Sequence, residues 1–160
     1  MQYGAETPDQ LPTRAQILSM SGLEFMQGIL VGDIAGAPIA RTLNFRLLTV
    51  EDGRVVFSGN PEFGAMNPSG AVHGGWYGAL LDSALGCAVM TKAPQGSVYT
   101  TLEYKVNITR AIPVGTEVQC EALVDHAGRS TSVAHGTIRG AEDGKVYATG
   151  STTCIIMKLG

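Results

Sequence analysis

Clusters of basic residues are absent from this sequence. It carries 11 Lys and Arg against 14 Asp and Glu, for a net charge of −3. Binding to nucleic acid depends on clustered cations that neutralise phosphates, so this balance argues against nucleic acid as the main partner. A nucleotide-bearing ligand held by two or three basic side chains remains compatible with it.

Cysteine is scarce as well. Cys87, Cys120 and Cys154 are odd in number, widely separated and lack the spacing of metal ligands. Free buried thiols in a reducing cytosol are the simplest account. The first ten residues lack the basic and apolar regions of a signal peptide, and the longest low-charge stretch is too rich in glycine and polar residues to span a membrane. We therefore expect a cytoplasmic protein without membrane contact.

The N-terminal third reads as an arm followed by short helices. Residues 1–12 are polar and predict a loose arm. The apolar spacing between Thr13 and Val31 predicts amphipathic helical turns, with a break near Ser21, and residues 38–43 predict one further turn. We take residues 1–38 as this arm and helical extension, and residues 39–160 as a single domain.

Strand patterns fill most of the remaining sequence. Residues 45–50 and 54–59 predict a hairpin with an Asp-Gly turn. Four later segments also predict strands: 97–109, 116–125, 130–139 and 145–158. The first of these alternates most clearly, with apolar Leu102, Tyr104, Val106 and Ile108, which favours an antiparallel sheet with one apolar and one polar face.

A helix predicted from Gly74 to about Met90 is apolar nearly all round, so it must be surrounded. One long helix wrapped by five or six antiparallel strands, an α+β architecture, satisfies this need. Asp82 is the single formally charged residue between Glu62 and Lys92. Because burying an uncompensated carboxylate costs several kcal/mol, Asp82 is the best candidate for chemistry.

A polar, glycine-rich element precedes this helix in the pattern Asn-x-x-Gly-x-x-His-Gly-Gly: Asn67, Gly70, His73, Gly74 and Gly75. With Asp82 nine residues after the histidine, it resembles the hotdog-fold acyl-CoA thioesterases of the phenylacetic-acid-degradation (PaaI-type) branch of the thioesterase superfamily. Residues 101–115 are similar to the family's strand after the helix. Residues 22–30 are similar to a helical extension that some members carry.

The resemblance implies hydrolysis of acyl-CoA without a cofactor or metal. Backbone amides of Gly74 or Gly75, with the positive end of the helix dipole, would stabilise the oxyanion. Asn67 and His73 would shape the pocket, and Asp82 would act as general base on water or as nucleophile. A purely structural role stays open for each of these residues. Asp82 could be a buried acid capped by local donors, and His73 could only fix the loop. Asn67 could belong to an Asn-Pro turn, and the two glycines could be required for packing at the helix start.

Asp82 lies roughly 10–12 Å along the helix from its first turn, at ~1.5 Å per residue. One thioester carbonyl cannot reach both ends of that gap, whereas two antiparallel copies of the helix could bring the acid of one chain to the amides of another. The family's active sites are built between subunits. We therefore expect a homodimer with a site shared between its two subunits. Whether two such dimers pair into a homotetramer is left open.

The remaining candidates follow from the same comparison. Thr101, with Thr100 as the alternative, matches a strand hydroxyl that in some relatives helps to hold the water. Other hotdog thioesterases place a threonine one turn after the acid, where this sequence has Gly86. Lys105 and Arg110 are candidates for binding coenzyme-A phosphates or are a solvated strand edge, and Trp76 is either core or a wall of the acyl pocket.

Two other functions compete with hydrolysis. A hotdog dehydratase or hydratase would need a His and acid pair placed for proton removal at carbon, which Asn67 with His-Gly-Gly matches less well. A non-catalytic acyl-CoA binding or sensor protein would keep the pocket and lose the acid, yet Asp82 is present.

Overall fold

The computed structural model describes residues 4–160. Within them, one long helix lies against a sheet, and shorter helices precede it. The helices and strands follow one another along the chain as α1 Arg14–Leu18, α2 Gly22–Val31, α3 Pro38–Thr42, β1 Phe45–Glu51, β2 Arg54–Gly59, α4 Gly74–Thr91, β3 Ser97–Ile108, β4 Val118–Ala127, β5 Thr131–Gly140 and β6 Val146–Lys158.

The six strands form one antiparallel sheet in the order β1-β2-β4-β5-β6-β3. It wraps around α4, which contacts every strand. Leu80, Leu81, Ala84, Leu85 and Ala88 are fully buried, as the apolar pattern of this helix predicts. The expected hotdog architecture with an N-terminal helical extension is therefore confirmed.

The break in the N-terminal helices lies where the sequence places it. Ser21 caps α2 through a capping box, in which Glu24 N–H donates to Ser21 Oγ at 3.3 Å and Ser21 N–H donates to Glu24 Oε2 at 2.8 Å. A Cβ at Gly22 would overlap the carbonyl of Met90. The start of α2 therefore packs on the end of α4.

The first twelve residues are less loose than predicted. Ala5 is buried and its N–H donates to the carbonyl of Gly36 at 3.0 Å, so the arm is attached to the body at this point. Residues 1–3 lie outside the described part of the chain. The boundary at residues 38 and 39 stays a prediction, although α3 begins at Pro38.

The hairpin of β1 and β2 is confirmed, with Gly53 at φ +78° in its turn. The alternation in β3 is also present, but its apolar side is not buried. Leu102, Tyr104 and Ile108 are 59%, 46% and 48% exposed. β3 is an edge strand of the sheet, and α4 covers this side of it only in part. Tyr104 Oη lies 3.3 Å from the place of a Cβ at Gly78, and Ile108 Cδ1 lies 3.4 Å from the place of a Cβ at Gly74. No helix within residues 4–160 has both the length and the apolarity needed to cross a membrane.

Candidate active site

Asp82 and Thr101 meet between α4 and β3. Thr101 Oγ1 donates a hydrogen bond to Asp82 Oδ1 at 3.0 Å, and both side chains are half-buried. Cys154 Sγ, from the neighbouring strand β6, lies 4.0 Å from Thr101 Oγ1 and completes a short polar chain. The Thr101 hydroxyl therefore orients one carboxylate oxygen, while Thr100 is exposed.

A β-bulge lies directly beside this pair. The register of β3 against β6 shifts between Thr101 and Glu103, which leaves Leu102 as the extra residue. Bulges redirect side chains locally and are common next to active sites. The bulge here follows the residue that contacts Asp82.

Asp82 lies at an apolar cavity of about 430 Å³ between α4 and the N-terminal helices. Ser83, Cys87 and Tyr99 share the cavity wall with it. Most of the remaining wall is apolar and includes Ile17, Phe25, Met26, Leu30, Met90 and Val98. A mostly apolar pocket with a few polar groups at one place is the usual form of a small-molecule site.

The start of α4 holds the second half of the predicted site. His73 is the N-cap residue, and its Nδ1 accepts a hydrogen bond from the Gly75 N–H at 2.8 Å. This leaves the Gly75 amide occupied and places the proton of the neutral imidazole on Nε2. The Gly74 N–H, at the first helical position, has no hydrogen-bond partner within residues 4–160. Gly74 is therefore the amide of the pair that is available to a ligand.

Asn67 organises the loop that leads into the helix. Its Oδ1 accepts hydrogen bonds from Ser69 N–H at 3.0 Å, Ser69 Oγ at 2.6 Å and Ala71 N–H at 3.2 Å. Gly70 has φ +81°, a conformation that glycine adopts without strain. The side-chain oxygen of Asn67 is thus used to hold the loop that presents His73.

Within one chain, these two halves are separated. Asp82 comes eight positions after Gly74 on the helix, which is a distance of about 12 Å along the axis. The arrangement of one chain therefore contains a carboxylate with its hydroxyl partner and, at a distance, a free amide at a helix N-terminus.

Tyr99 is a cavity residue that the sequence reasoning missed. A Cβ at Gly86 would come within 2.8 Å of Tyr99 Cε2, so the ring uses the space that any larger residue at position 86 would need. Burial, with smaller contributions from Cys87 and Asp82, raises the pKa of Tyr99 well above its usual value. The signal in the sequence was Gly86 itself, a glycine in the middle of an apolar helix.

The other candidate residues lie away from the cavity. Lys105 and Arg110 are exposed on and just after β3. Trp76 is 2% exposed, and its indole N–H donates to the carbonyl of Leu43 at 2.8 Å, so its position is in the core. Across residues 4–160, no three His, Cys, Asp or Glu side chains come together as candidate metal ligands.

Comparison with known proteins gives both a sequence match and fold matches. The thioesterase superfamily model matches residues 69–147. No curated protein matches the chain. A phenylacetic-acid-degradation-related protein from Ralstonia eutropha JMP134 is 26% identical with a TM-score of 0.74, over 82% of this chain and 98% of the other.

Two further solved structures have the same fold. A thioesterase family protein from Silicibacter pomeroyi is 26% identical with a TM-score of 0.74, over 84% of this chain and 99% of the other. A Streptococcus mutans protein solved with acetyl-CoA bound is 22% identical with a TM-score of 0.66, over 72% of this chain and 90% of the other. The sequence match and the fold point to the same group: the chain has the hotdog fold, and it is similar to the thioesterase superfamily over residues 69–147 and to a phenylacetic-acid-degradation-related protein.

Proposed function

We propose that this protein hydrolyses acyl-CoA thioesters to a free acid and coenzyme A, without a cofactor or metal. The observation that carries the proposal is the hydrogen bond from Thr101 to Asp82 at the wall of an apolar cavity. A carboxylate oriented in this way, beside a pocket suited to an acyl group, has the means to activate water for attack on a carbonyl.

The reaction needs two groups besides the substrate. Asp82 removes a proton from water, and the oxygen of that water bonds to the thioester carbonyl carbon. The negative charge that develops on the carbonyl oxygen is stabilised by the Gly74 N–H and by the helix dipole behind it. Collapse of the intermediate breaks the C–S bond, and the coenzyme-A sulfur leaves and takes up a proton. Direct attack by Asp82 to form an anhydride is the alternative first step.

Asp82 and Gly74 of one chain cannot act on the same carbonyl, because about 12 Å of helix separates them. We therefore infer a homodimer in which Asp82 of one chain faces Gly74 of the partner subunit. The exposed side chains of Leu102, Tyr104 and Ile108 on the edge strand β3 support this inference, since a second copy would cover them. A two-fold dimer would contain two equivalent sites.

The remaining predicted residues take supporting roles in this proposal. His73 and Asn67 position the helix start and its loop. Lys105 and Arg110 are exposed cations that would bind the phosphates of the coenzyme-A part of the substrate. The Streptococcus mutans protein was solved with acetyl-CoA bound.

Hydrolysis of a panel of acyl-CoAs by the native protein and by Asp82→Asn tests the proposal. We expect turnover by the native protein and at least a ~100-fold loss in the variant, as when a positioned base is removed. Binding without turnover by either form would support a non-catalytic acyl-CoA binding protein instead. Equal turnover by the two forms would remove Asp82 from the mechanism, and hydration of an enoyl-CoA in place of hydrolysis would support a hydratase.

A further inference from the structure

The acyl group has one direction in which to extend from Asp82. On α4, the cavity wall continues from Asp82 to Cys87 and then to Met90. These residues lie five and eight positions further along the helix, at distances of about 7.5 and 12 Å. The helix α2 covers this stretch from the other side, since its first residue packs on the carbonyl of Met90.

Four side chains of the cavity wall carry a charge or a hydroxyl: Arg46, Asp82, Ser83 and Tyr99. The rest of the wall is without either, and it includes Val98 at the start of β3 and Phe25 and Ile17 from the N-terminal helices. Burial raises the pKa of Cys87 to about 12, so its thiol stays neutral and behaves as a small apolar group. An acyl tail enclosed by the apolar part of this wall gains free energy from each methylene that it buries.

Length and volume give two independent measures of what fits. An extended chain advances roughly 1.2 Å per bond, so the ~12 Å from Asp82 to Met90 accommodates about ten bonds. A water-sized group occupies about 30 Å³, so the cavity of about 430 Å³ accommodates roughly a dozen non-hydrogen atoms. The two measures agree on a chain of medium length.

We infer that the space between α4 and the N-terminal helices is the acyl-chain subsite, and that it selects aliphatic acyl groups of roughly eight to twelve carbons. This inference rests on the proposed function, because Asp82 is taken as the point where the thioester carbonyl lies. Residues from Ile17 to Leu30 supply much of the wall, so the N-terminal extension determines chain length.

Binding of non-hydrolysable S-alkyl-CoA thioethers tests the subsite separately from catalysis. Burying one methylene favours binding about fourfold. We expect S-decyl-CoA to bind the native protein at least about 50-fold more tightly than S-butyl-CoA by calorimetry, since partial exposure reduces the full gain over six methylenes. In hydrolysis, decanoyl-CoA should exceed both butyryl-CoA and phenylacetyl-CoA in kcat/KM.

A variant that blocks the cavity half-way gives the sharper comparison. Cys87→Leu places a larger side chain about 7.5 Å from Asp82. We expect the ratio of the affinities for S-decyl-CoA and S-butyl-CoA to fall to roughly fivefold or less. Ala15→Leu adds the same side chain on the exposed side of α1, away from the cavity, and should keep the native preference. Phe25 lines the cavity, so Phe25→Ala enlarges it and should shift the preferred chain by roughly two to four carbons toward longer substrates.

The outcomes separate the two proposals. Affinity that does not depend on chain length, or a Cys87→Leu variant that keeps the decyl preference, would overturn the acyl subsite. Should Cys87→Leu fail to fold, as shown by loss of S-butyl-CoA binding, the shift expected of Phe25→Ala decides the matter alone. Length-dependent binding of thioethers without hydrolysis of decanoyl-CoA would overturn the hydrolase and leave the subsite intact.

Discussion

The ring of Tyr99 lies directly over Gly86, in the space where a side chain at position 86 would be. The contact links the middle of α4 to β3 next to the proposed acyl subsite, one helical turn from Asp82. It also gives a physical reason why position 86 carries no threonine here, although other hotdog thioesterases have one at the equivalent place.

Replacing Gly86 by alanine tests this contact. Alanine is about 1 kcal/mol better than glycine in a helix interior, but the added methyl would displace the Tyr99 ring, and overpacking of this kind costs about 1–3 kcal/mol. We expect a net loss in the free energy of unfolding, measured by urea denaturation, and partial recovery in the Gly86→Ala, Tyr99→Phe double variant. Gly64→Ala, where a Cβ meets nothing within 4 Å, is the control and should stay within about 0.5 kcal/mol. A more stable Gly86→Ala protein would refute the argument.

The Thr101 hydroxyl should affect turnover more than substrate binding. Thr101→Val keeps the side-chain shape and removes the hydrogen bond to Asp82; a hydrogen bond to a charged group is worth about 1.5–3 kcal/mol. We expect kcat to fall roughly 10- to 100-fold with little change in KM, and Thr101→Ser to retain most of the native rate. Thr100→Val is the matched control, because that side chain is exposed. A larger effect at Thr100 than at Thr101 would assign the wrong hydroxyl to the site.

The Gly74 amide can be removed without removing the helix. Gly74 is the first residue of α4, where proline is well tolerated, and His73 before it has φ −63° and ψ 138°, which proline permits in the preceding residue. We expect Gly74→Pro to fold normally by circular dichroism and to lose about 100- to 1,000-fold in kcat, as when one oxyanion donor is lost.

Gly74→Ala is the control for this experiment, since it keeps the N–H. Its Cβ would meet Ile108 Cδ1 at 3.4 Å, which is close to an ordinary contact. If the proline and alanine variants have the same rate, the amide has no part in the reaction.

A shared site predicts complementation between two inactive variants. In a mixture of Asp82→Asn and Gly74→Pro chains, half of the dimers are mixed. Each mixed dimer has one site with both native groups, so activity should recover to about a quarter of the native value after subunit exchange. The activity of the mixture is compared with that of each variant alone, at equal total concentration. No recovery, with mixed dimers demonstrated by mass spectrometry, would mean that each chain builds its site by itself.

Local patterns predicted the elements because their causes are local. The Asp-Gly turn of β1 and β2, the cap at Ser21 and the apolar circumference of α4 each depend on neighbouring residues and are present as predicted. The alternation in β3 was read correctly as a strand, but its exposure at the sheet edge depends on strand order, which no local pattern encodes.

Some residues of the candidate site could likewise be predicted from local sequence, and others needed the tertiary contacts. Asp82 could be identified from the sequence because it is a lone carboxylate in an apolar helix. Gly74 could be identified because the His-Gly-Gly element predicts the start of a helix. The choice between Gly74 and Gly75 needed the bond from Gly75 to His73, and the choice between Thr101 and Thr100 needed the contact with Asp82.

By itself, the sequence determined that a long apolar helix carrying one acid had to be enclosed by strands, because the cost of exposing that helix is a property of its own residues. Only the tertiary structure decided what lies around the acid. Phe25, Cys87 and Val98 are far apart along the chain and share one cavity wall, because the docking of α2 and β3 on α4 depends on the packing of the whole domain.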